Sequence, residues 1–197
     1  MLEMAEARST RDALLDAAYD VAVAGEWQSA RMVDVAAAAG VSRQTLYNEF
    51  GSKDALAQAL AIREATRFHE GTNRFLDEMH PDAPVDAVAA ATEWTIREAS
   101  NNPLLKAVLT DDTHELLPFI TTRGDAIIAA TRSNIESYWR SHWPDVPAED
   151  VALAAEAVAR LTLSYLVLPS DGPDGSAEAI AARMSTLVER LLMKGSS

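Results

Sequence analysis

The chain of 197 residues contains no cysteine and no long apolar segment. The absence of cysteine excludes disulfide bonds, thiol catalysis and cysteine-ligated metals, and it is compatible with a reducing cytoplasm. A transmembrane helix needs about 18 consecutive apolar residues, and no such run occurs. The N-terminus is acidic and lacks the apolar centre of a signal peptide. We therefore expect a cytoplasmic protein that has no membrane partner.

Basic residues are also scarce in this sequence. Lys and Arg together number 17 against 30 Asp and Glu, which gives a formal net charge of −13. Phosphate groups repel a chain of this charge, so indiscriminate nucleic-acid binding is disfavoured. The charge balance alone therefore gives no reason to expect DNA as a partner.

Complete catalytic motifs are missing as well. His69 and His114 are each followed by Glu, the first half of a zinc-protease motif, but Asn73 and Pro118 stand where the second His belongs. The acidic residues and His at 111–115 are typical of a solvated loop. No Gly-rich phosphate loop and no nucleophile elbow occur. We predict neither an enzyme nor a site for a metal or cofactor.

Hydrophobic residues, by contrast, make up 48% of the chain, which is enough for a substantial core. They recur at spacings of three and four residues, whereas the strict alternation typical of strands is missing. Proline-containing breaks separate the apolar stretches from one another. The pattern predicts an all-α protein of about nine helices.

The most informative stretch follows Gly40, a residue type that adopts the positive φ of a tight turn without strain. Ser42 can cap a helix, since its hydroxyl accepts a hydrogen bond from a first-turn N–H. Leu46 and Phe50 are four residues apart and share one face of that helix. Residues 31–39 predict another short helix just upstream. Two short helices joined by a tight turn with Gly predict a helix-turn-helix motif.

A longer pattern at fixed spacing surrounds this motif. It comprises Val35-Ala36, Ala39-Gly40-Val41-Ser42, Thr45-Leu46-Tyr47, Phe50, Ser52-Lys53 and Leu56. With this pattern, residues 9–60 resemble the DNA-binding domain of TetR-family transcriptional regulators. The resemblance implies an N-terminal three-helix DNA-binding domain over residues 1–52 and a C-terminal helical domain for ligand binding and dimerisation over residues 53–197. It further implies a homodimeric, ligand-responsive repressor.

Three polar residues in the first turn of the predicted recognition helix are candidates for base contacts. They are Arg43, Gln44 and Thr45. This part of a recognition helix reaches base edges in the major groove. Arg can pair with guanine through two hydrogen bonds, and Gln can pair with adenine in the same way.

Phosphate contacts are predicted from the family resemblance. It implies that Tyr47 and Lys53 each reach a backbone phosphate, and Ser42 and Asn48 are weaker candidates. Arg31 stands where the family often has a Thr or Ser that caps the second helix and touches phosphate. The longer side chain of Arg can reach a phosphate from that position as well.

Glu49 departs from the family pattern, in which a neutral or basic residue is more usual. If it faces DNA it repels phosphate, and if it faces away it is harmless. Together with the acidic balance, Glu49 supports a second hypothesis. In that hypothesis the chain is an all-α small-molecule binding or sequestering protein whose helix-turn-helix is vestigial.

Apolar and aromatic residues on the central helices are candidates for an effector pocket, because ligand sites are mostly apolar concavities. The same residue types fill interiors, so some of these positions belong to the core. Few cationic residues accompany them, which favours a hydrophobic or amphipathic effector. The candidates are Phe68, Phe75, Trp94, Leu105, Leu109, Phe119, Trp139 and Tyr165.

Two long predicted helices within residues 148–194 have apolar stripes and small Ala residues that suit close helix packing. In the resembled family this pair forms the four-helix bundle of a homodimer, and packing within one chain is the alternative. A dimer predicts a palindromic operator with half-sites about one helical turn, or a multiple, apart. Residues 43–51 and 161–169 are also similar to regulators of lipid or alkane metabolism in actinobacteria.

Overall fold

The computed structural model describes residues 9–110, 116–169 and 172–194, and every regular element in these ranges is a helix. The all-α class is therefore confirmed. Nine of the described helices have at least 7 residues, and a tenth is a single turn, as is a 3-10 turn at Gly172–Gly175. None of the helices described has the length and apolarity needed to cross a membrane. In chain order they are α1 (Thr10–Val23), α2 (Met32–Ala38), α3 (Arg43–Phe50), α4 (Lys53–Met79), α5 (Pro84–Asn101), α6 (Pro103–Thr110), α7 (Leu117–Ile120), α8 (Asp125–His142), α9 (Ala148–Val167) and α10 (Ala177–Lys194).

The chain divides into two compact units. The first comprises the residues up to Ala61 together with Pro103–Phe119, and the second comprises Ile62–Asn102 and the residues from Ile120 onward. The boundary falls inside α4, so this helix belongs partly to each unit. The predicted boundary between a DNA-binding domain (1–52) and a ligand-binding and dimerisation domain (53–197) is a division by function, and it stays a prediction.

The first unit is built from helices whose ends are fixed by local chemistry. At the start of α1, the Ser9 hydroxyl accepts a hydrogen bond from the Asp12 N–H at 3.0 Å. Gly40 turns the chain between α2 and α3 with a φ of 71°, and Gly51 ends α3 with a φ of 74°. α1 packs against α2 and α6, and α2 packs against α3.

The core of the first unit includes side chains from α1, α3 and α4. Leu14, Leu46 and Leu56 are each 0% exposed, and Trp27 is 4% exposed. Full burial of a Leu side chain is worth about 1.5–3 kcal/mol relative to exposure. These residues therefore hold α3 against the rest of the unit.

The second unit packs long helices side by side. α10 lies along α5, and α8 lies along α9. Pro84 occupies the first turn of α5, where the missing N–H costs nothing. The core between these helices includes Leu76, Trp139, Met184 and Val188.

The apolar stripe on α10 is used largely within the chain. Ile180, Met184 and Val188 are buried in the core of the second unit, so the intramolecular alternative accounts for this part of the stripe. On α9, Leu153 and Leu161 keep exposed fractions of 54% and 38%. An outward apolar surface therefore remains on α9.

Candidate nucleic-acid interface and effector region

The predicted recognition helix, α3, is capped and anchored as the sequence predicts. The Ser42 hydroxyl accepts a hydrogen bond from the Thr45 N–H at 3.0 Å, and it lies 2.8 Å from the Thr45 hydroxyl. Leu46 and Phe50 are buried on the opposite side. Since the cap and the two apolar side chains fix the helix, its remaining face is presented in one orientation.

The exposed face of α3 presents hydrogen-bonding groups. The Gln44 amide donates from Nε2 to Asn48 Oδ1 at 2.8 Å. The Arg43 guanidinium carbon lies 5.1 Å from the centroid of the Tyr47 ring, a cation–π distance. Thr45 is half-buried, whereas the other four residues are exposed. These groups match the requirements of base and phosphate contacts, and their individual roles stay predictions.

Lys53, at the first position of α4, is held at the surface of the same unit. Its Nζ donates to the Gln28 carbonyl oxygen at 3.1 Å and lies 5.4 Å from the centroid of the buried Trp27 ring. These contacts fix the position of the ammonium group. A phosphate contact by Lys53 remains a prediction from the family resemblance.

Arg31 is bound by a carboxylate that the sequence reasoning did not identify. Its Nε and Nη2 donate to the two oxygens of Asp34 at 3.0 and 2.9 Å. The Arg31 backbone N–H also donates to this carboxylate, at 3.0 Å, so Asp34 holds the start of α2. The hydrogen bonds from Arg31 lower the pKa of Asp34, which keeps it ionised. An acid three residues after the cap position was the available sequence signal.

Glu49 also has a cationic partner, on another helix. Arg11 Nη1 of α1 lies 2.8 Å from Glu49 Oε1, and the Arg11 guanidinium carbon lies 4.7 Å from the Phe50 ring centroid. The two side chains are partly exposed, at 48% and 37%. The ion pair compensates the charge that made Glu49 a departure from the family pattern. No local spacing pattern could have revealed it.

An aromatic group lies between α4 and α5 in the second unit. The centroid of Trp94 is 6.4 Å from that of Phe68 in an edge-on arrangement and 6.2 Å from that of Phe75 in a stacked one. A Cβ added at Gly71 would lie 2.6 Å from Trp94 Cη2, so the missing side chain allows the close approach. Three of the eight predicted effector residues are thus brought together, and all three are half-buried.

Neutral polar groups join α4 to α8 in the same unit. His69 Nε2 lies 2.9 Å from Thr131 Oγ1, and the amides of Asn73 and Asn134 exchange hydrogen bonds of 3.0 and 3.1 Å. Burial lowers the pKa of His69, so its imidazole is neutral at pH 7. The sequence reasoning missed these groups, although His69 and Asn73 are four apart on the helix that contains Phe68.

The other predicted effector residues lie elsewhere. Trp139 is 2% exposed within the core of the second unit, and Tyr165 packs against that core. Leu105 and Leu109, on α6, and Phe119, on α7, belong to the first unit. The structure therefore does not gather all eight residues in one unit.

No group of three His, Asp or Glu side chains that could hold a metal ion occurs among the described residues. His69, considered for half of a zinc-protease motif, is hydrogen-bonded to Thr131. The second such motif begins at His114, which lies outside the described residues, as does the acidic loop at 111–115.

Two family models match the chain. The one described as bacterial regulatory proteins, tetR family, matches residues 14–60. The one described as the bacterial tetracyclin repressor C-terminal domain matches residues 83–186. The first match covers the helix-turn-helix, and the second covers more than half of the chain.

Related proteins extend this match over almost the full length. The HTH-type transcriptional regulator AlkX of Mycobacterium tuberculosis is 32% identical over 181 residues, which are 91% of this chain and 85% of that protein. The crystal structure of the TetR family repressor AlkX from Dietzia sp., implicated in biodegradation of n-alkanes, has a TM-score of 0.77 and 29% identity. It covers 94% of this chain and 99% of that one.

The R. erythropolis transcriptional repressor QsdR shares the fold, with a TM-score of 0.69 and 18% identity, over 93% of this chain and 94% of that one. These relatives are transcriptional regulators, and the similarity includes the capped helix-turn-helix described above. The protein therefore belongs to the TetR family and is a DNA-binding transcriptional regulator.

Proposed function

We propose that the protein is a homodimeric repressor that binds a palindromic operator and is released from it by a hydrophobic or amphipathic effector. The observation that supports DNA binding most directly is α3, whose buried side is anchored while Arg43, Gln44, Tyr47 and Asn48 are exposed. The site of action is the cytoplasm, where the operator lies. One α3 from each protomer enters the major groove of one half-site.

The proposed role of each residue of α3 follows from its position along the helix. Arg43, Gln44 and Thr45 read base edges, because they occupy the first turn. Tyr47 and Asn48 lie one turn further and contact the phosphate backbone, with Ser42, Arg31 and Lys53 flanking them. In this arrangement the hydrogen bond between Gln44 and Asn48 holds the Gln amide in one orientation for adenine.

The proposed dimer interface uses the outward face of α9 together with neighbouring residues of α10, within residues 148–194. Leu153 and Leu161 are exposed at 54% and 38% and lie about two helical turns apart. A four-helix bundle with a second copy would bury these side chains. Changing Leu161 to Asp should therefore shift the protein from dimer to monomer in sedimentation velocity, whereas the exposed Leu168, just beyond the helix, should tolerate Asp better.

The proposed effector is a molecule with a long apolar chain and, at most, an uncharged polar group. Phe68, Phe75 and Trp94 offer half-buried aromatic surface, and the polar pairs that include His69 and Asn73 are neutral. A charged head group would lack a counter-ion in these pairs. The implication of Dietzia AlkX in n-alkane biodegradation supports an n-alkane or its primary alcohol as the class.

The protein has one state that binds DNA and one that does not. For release, the effector must have the higher affinity for the state that does not bind DNA. α4 provides a covalent path, because it begins in the first unit and carries Phe68 and Phe75 in the second. A ligand that moves these two residues can thereby change the position of the recognition helices in the dimer.

Selection of bound sequences from a random duplex pool tests the DNA-binding proposal. The purified protein at moderate salt should enrich one palindrome with half-sites about one turn, or a multiple, apart. Enrichment of no sequence would support the alternative of a small-molecule binding protein. Its support from Glu49 is weakened by the ion pair with Arg11.

Competition on the enriched duplex tests the effector proposal. An n-alkane, the primary alcohol and the carboxylate of one chain length should be compared, with resorcinol as a small aromatic control. We expect the alkane and the alcohol to release the duplex at lower concentration than the carboxylate. Stronger release by the carboxylate would contradict the proposal of an uncharged effector.

A further inference from the structure

Two of the arginines in the helix-turn-helix unit are held by carboxylates on the same helices that form the proposed DNA interface. Arg31 is bound by Asp34 of α2, and Arg11 is bound by Glu49 of α3. Arg43 differs, because its contact is with the ring of Tyr47 and no carboxylate among the described residues pairs with it. The unit therefore contains two kinds of cation.

The pair at the start of α2 has the geometry of a phosphate contact. The Arg31 guanidinium donates one hydrogen bond to each oxygen of Asp34, as it would to two oxygens of a phosphate. The side chains are 76% and 47% exposed, so a phosphate can reach the same donors. In helix-turn-helix proteins the first helix of the motif crosses the DNA backbone, which places Arg31 near a phosphate.

The pair between α1 and α3 has similar properties. Arg11 is 48% exposed and Glu49 is 37% exposed, and Glu49 lies in the recognition helix itself. The contact of Arg11 with the Phe50 ring keeps the guanidinium beside α3. A phosphate that approaches the end of α3 therefore meets a cation whose charge is already compensated.

We propose that Asp34 and Glu49 act as phosphate mimics that occupy Arg31 and Arg11 and so lower the affinity for DNA of any sequence. This inference rests on the proposed DNA interface. The two acids contact no base, yet they are specificity-determining residues, because they weaken the sequence-independent part of binding and leave Arg43 and Gln44 to discriminate. A phosphate can bind Arg31 or Arg11 only if the existing ion pair breaks. The carboxylate is then left without its partner near the negatively charged DNA.

The test uses the full-length protein and two variants that remove charge but keep shape, Asp34→Asn and Glu49→Gln, alone and combined. Asn keeps an oxygen that accepts the Arg31 backbone N–H, so the start of α2 is retained. Asp20→Asn is the matched control, because it removes one negative charge from an exposed position of α1. Affinity is measured for the enriched operator and for an unrelated duplex of equal length over a series of salt concentrations.

We expect each variant to bind the unrelated duplex about fivefold more tightly, and its plot of log affinity against log salt to steepen by about 1 per protomer engaged. Asp20→Asn should change neither quantity to this extent. Adding Arg31→Ala to Asp34→Asn should remove the gain, because Arg31 is the cation that was released.

Unchanged or weaker binding of the unrelated duplex by both variants, with unchanged circular dichroism, would overturn the inference and leave the acids a structural role. An equal gain in Asp20→Asn would overturn it too, since net charge alone would then explain the effect. Failure of the proposed function is distinct, because it appears as a wild-type protein that prefers no sequence. The measurement on unrelated duplex tests the two carboxylates in that case as well.

Discussion

Polar pairs of the helix-turn-helix and polar pairs between α4 and α8 lie in different environments. In the first unit, Arg31 with Asp34 and Gln44 with Asn48 are paired on the surface. In the second unit, His69 with Thr131 and Asn73 with Asn134 are half-buried between α4 and α8. Water can compete for the pairs on the surface, whereas the half-buried pairs are costly to break unless another polar group replaces the lost partner. The surface pairs are therefore open to exchange with solvent, whereas the half-buried pairs are shielded from it.

The largest expected effect comes from removing the buried side chain that anchors α3, the helix with the Gln44–Asn48 pair on its surface. Changing Leu46, which is 0% exposed, to Ala should lower the free energy of unfolding by about 2–5 kcal/mol through loss of contacts and a residual cavity. Urea unfolding measures the change. Val33→Ala on the exposed side of α2 is the control and should cost far less. Equal losses would mean that Leu46 does not anchor the recognition helix.

A second substitution addresses the interior of the other unit. Gly71→Ala places a Cβ 2.6 Å from the Trp94 ring, and overpacking of this kind costs about 1–3 kcal/mol. It also improves helix propensity by about 1 kcal/mol, so the net loss of stability should be modest while effector affinity falls. Thermal unfolding and effector titration report the two quantities. A clear gain in stability, relative to Glu70→Ala on the exposed face of α4, would rule out the close packing.

Two surface substitutions then separate base reading from phosphate binding in the first unit. Arg43→Ala should remove about 1–3 kcal/mol of discrimination at one base pair and so weaken binding unevenly across operator variants. Lys53→Ala should weaken all sequences alike and make the salt dependence shallower by about 1. Fluorescence anisotropy on a panel of single-base operator variants provides the comparison. Equal behaviour of the two proteins would contradict the separate roles.

The smallest effect concerns pH and arises from the half-buried His69. Burial lowers the pKa of His69, so below the unfolded value of about 6.5 the unfolded chain binds more protons at this position than the folded one. The contribution of His69 to stability is therefore complete above that pH, falls as the pH drops, and levels off below the folded pKa. His69→Gln should remove this part of the pH dependence in urea unfolding between pH 7.5 and about 5. An identical pH profile in the variant would show that other groups cause it.

Local rules explain why the first unit was predicted in such detail. The Ser42 cap, the Leu46 and Phe50 spacing and the turn at Gly40 depend only on neighbours within one or two helical turns, and the structure reproduces all of them. The pair between Arg11 and Glu49 joins residues 38 positions apart, and nothing in a single sequence indicates which distant cation approaches an acid.

Tertiary packing explains why the surroundings of the candidate effector residues could not be predicted. Trp94 and Trp139 both occur at helical spacing among apolar residues, yet one is half-buried in the aromatic group and the other is 2% exposed in the core. Periodicity identifies the face that turns inward but not the neighbour that it meets. For the same reason, Leu105 on α6 was grouped with the central helices, although α6 packs against α1.

The position of Lys53 over the indole of Trp27 gives the protein an intrinsic optical signal. Trp27 is the only Trp of the first unit, since the other three are Trp94, Trp139 and Trp143. Indole emission responds to a charge placed over the ring, so a Lys53 ammonium that leaves Trp27 for a phosphate would change the fluorescence spectrum. In a variant with the other three Trp residues replaced by Phe, the emission of Trp27 would report DNA binding without an added dye. If Trp94 were then restored, its emission would report effector binding in the second unit. One sample could thus show DNA binding and effector binding together.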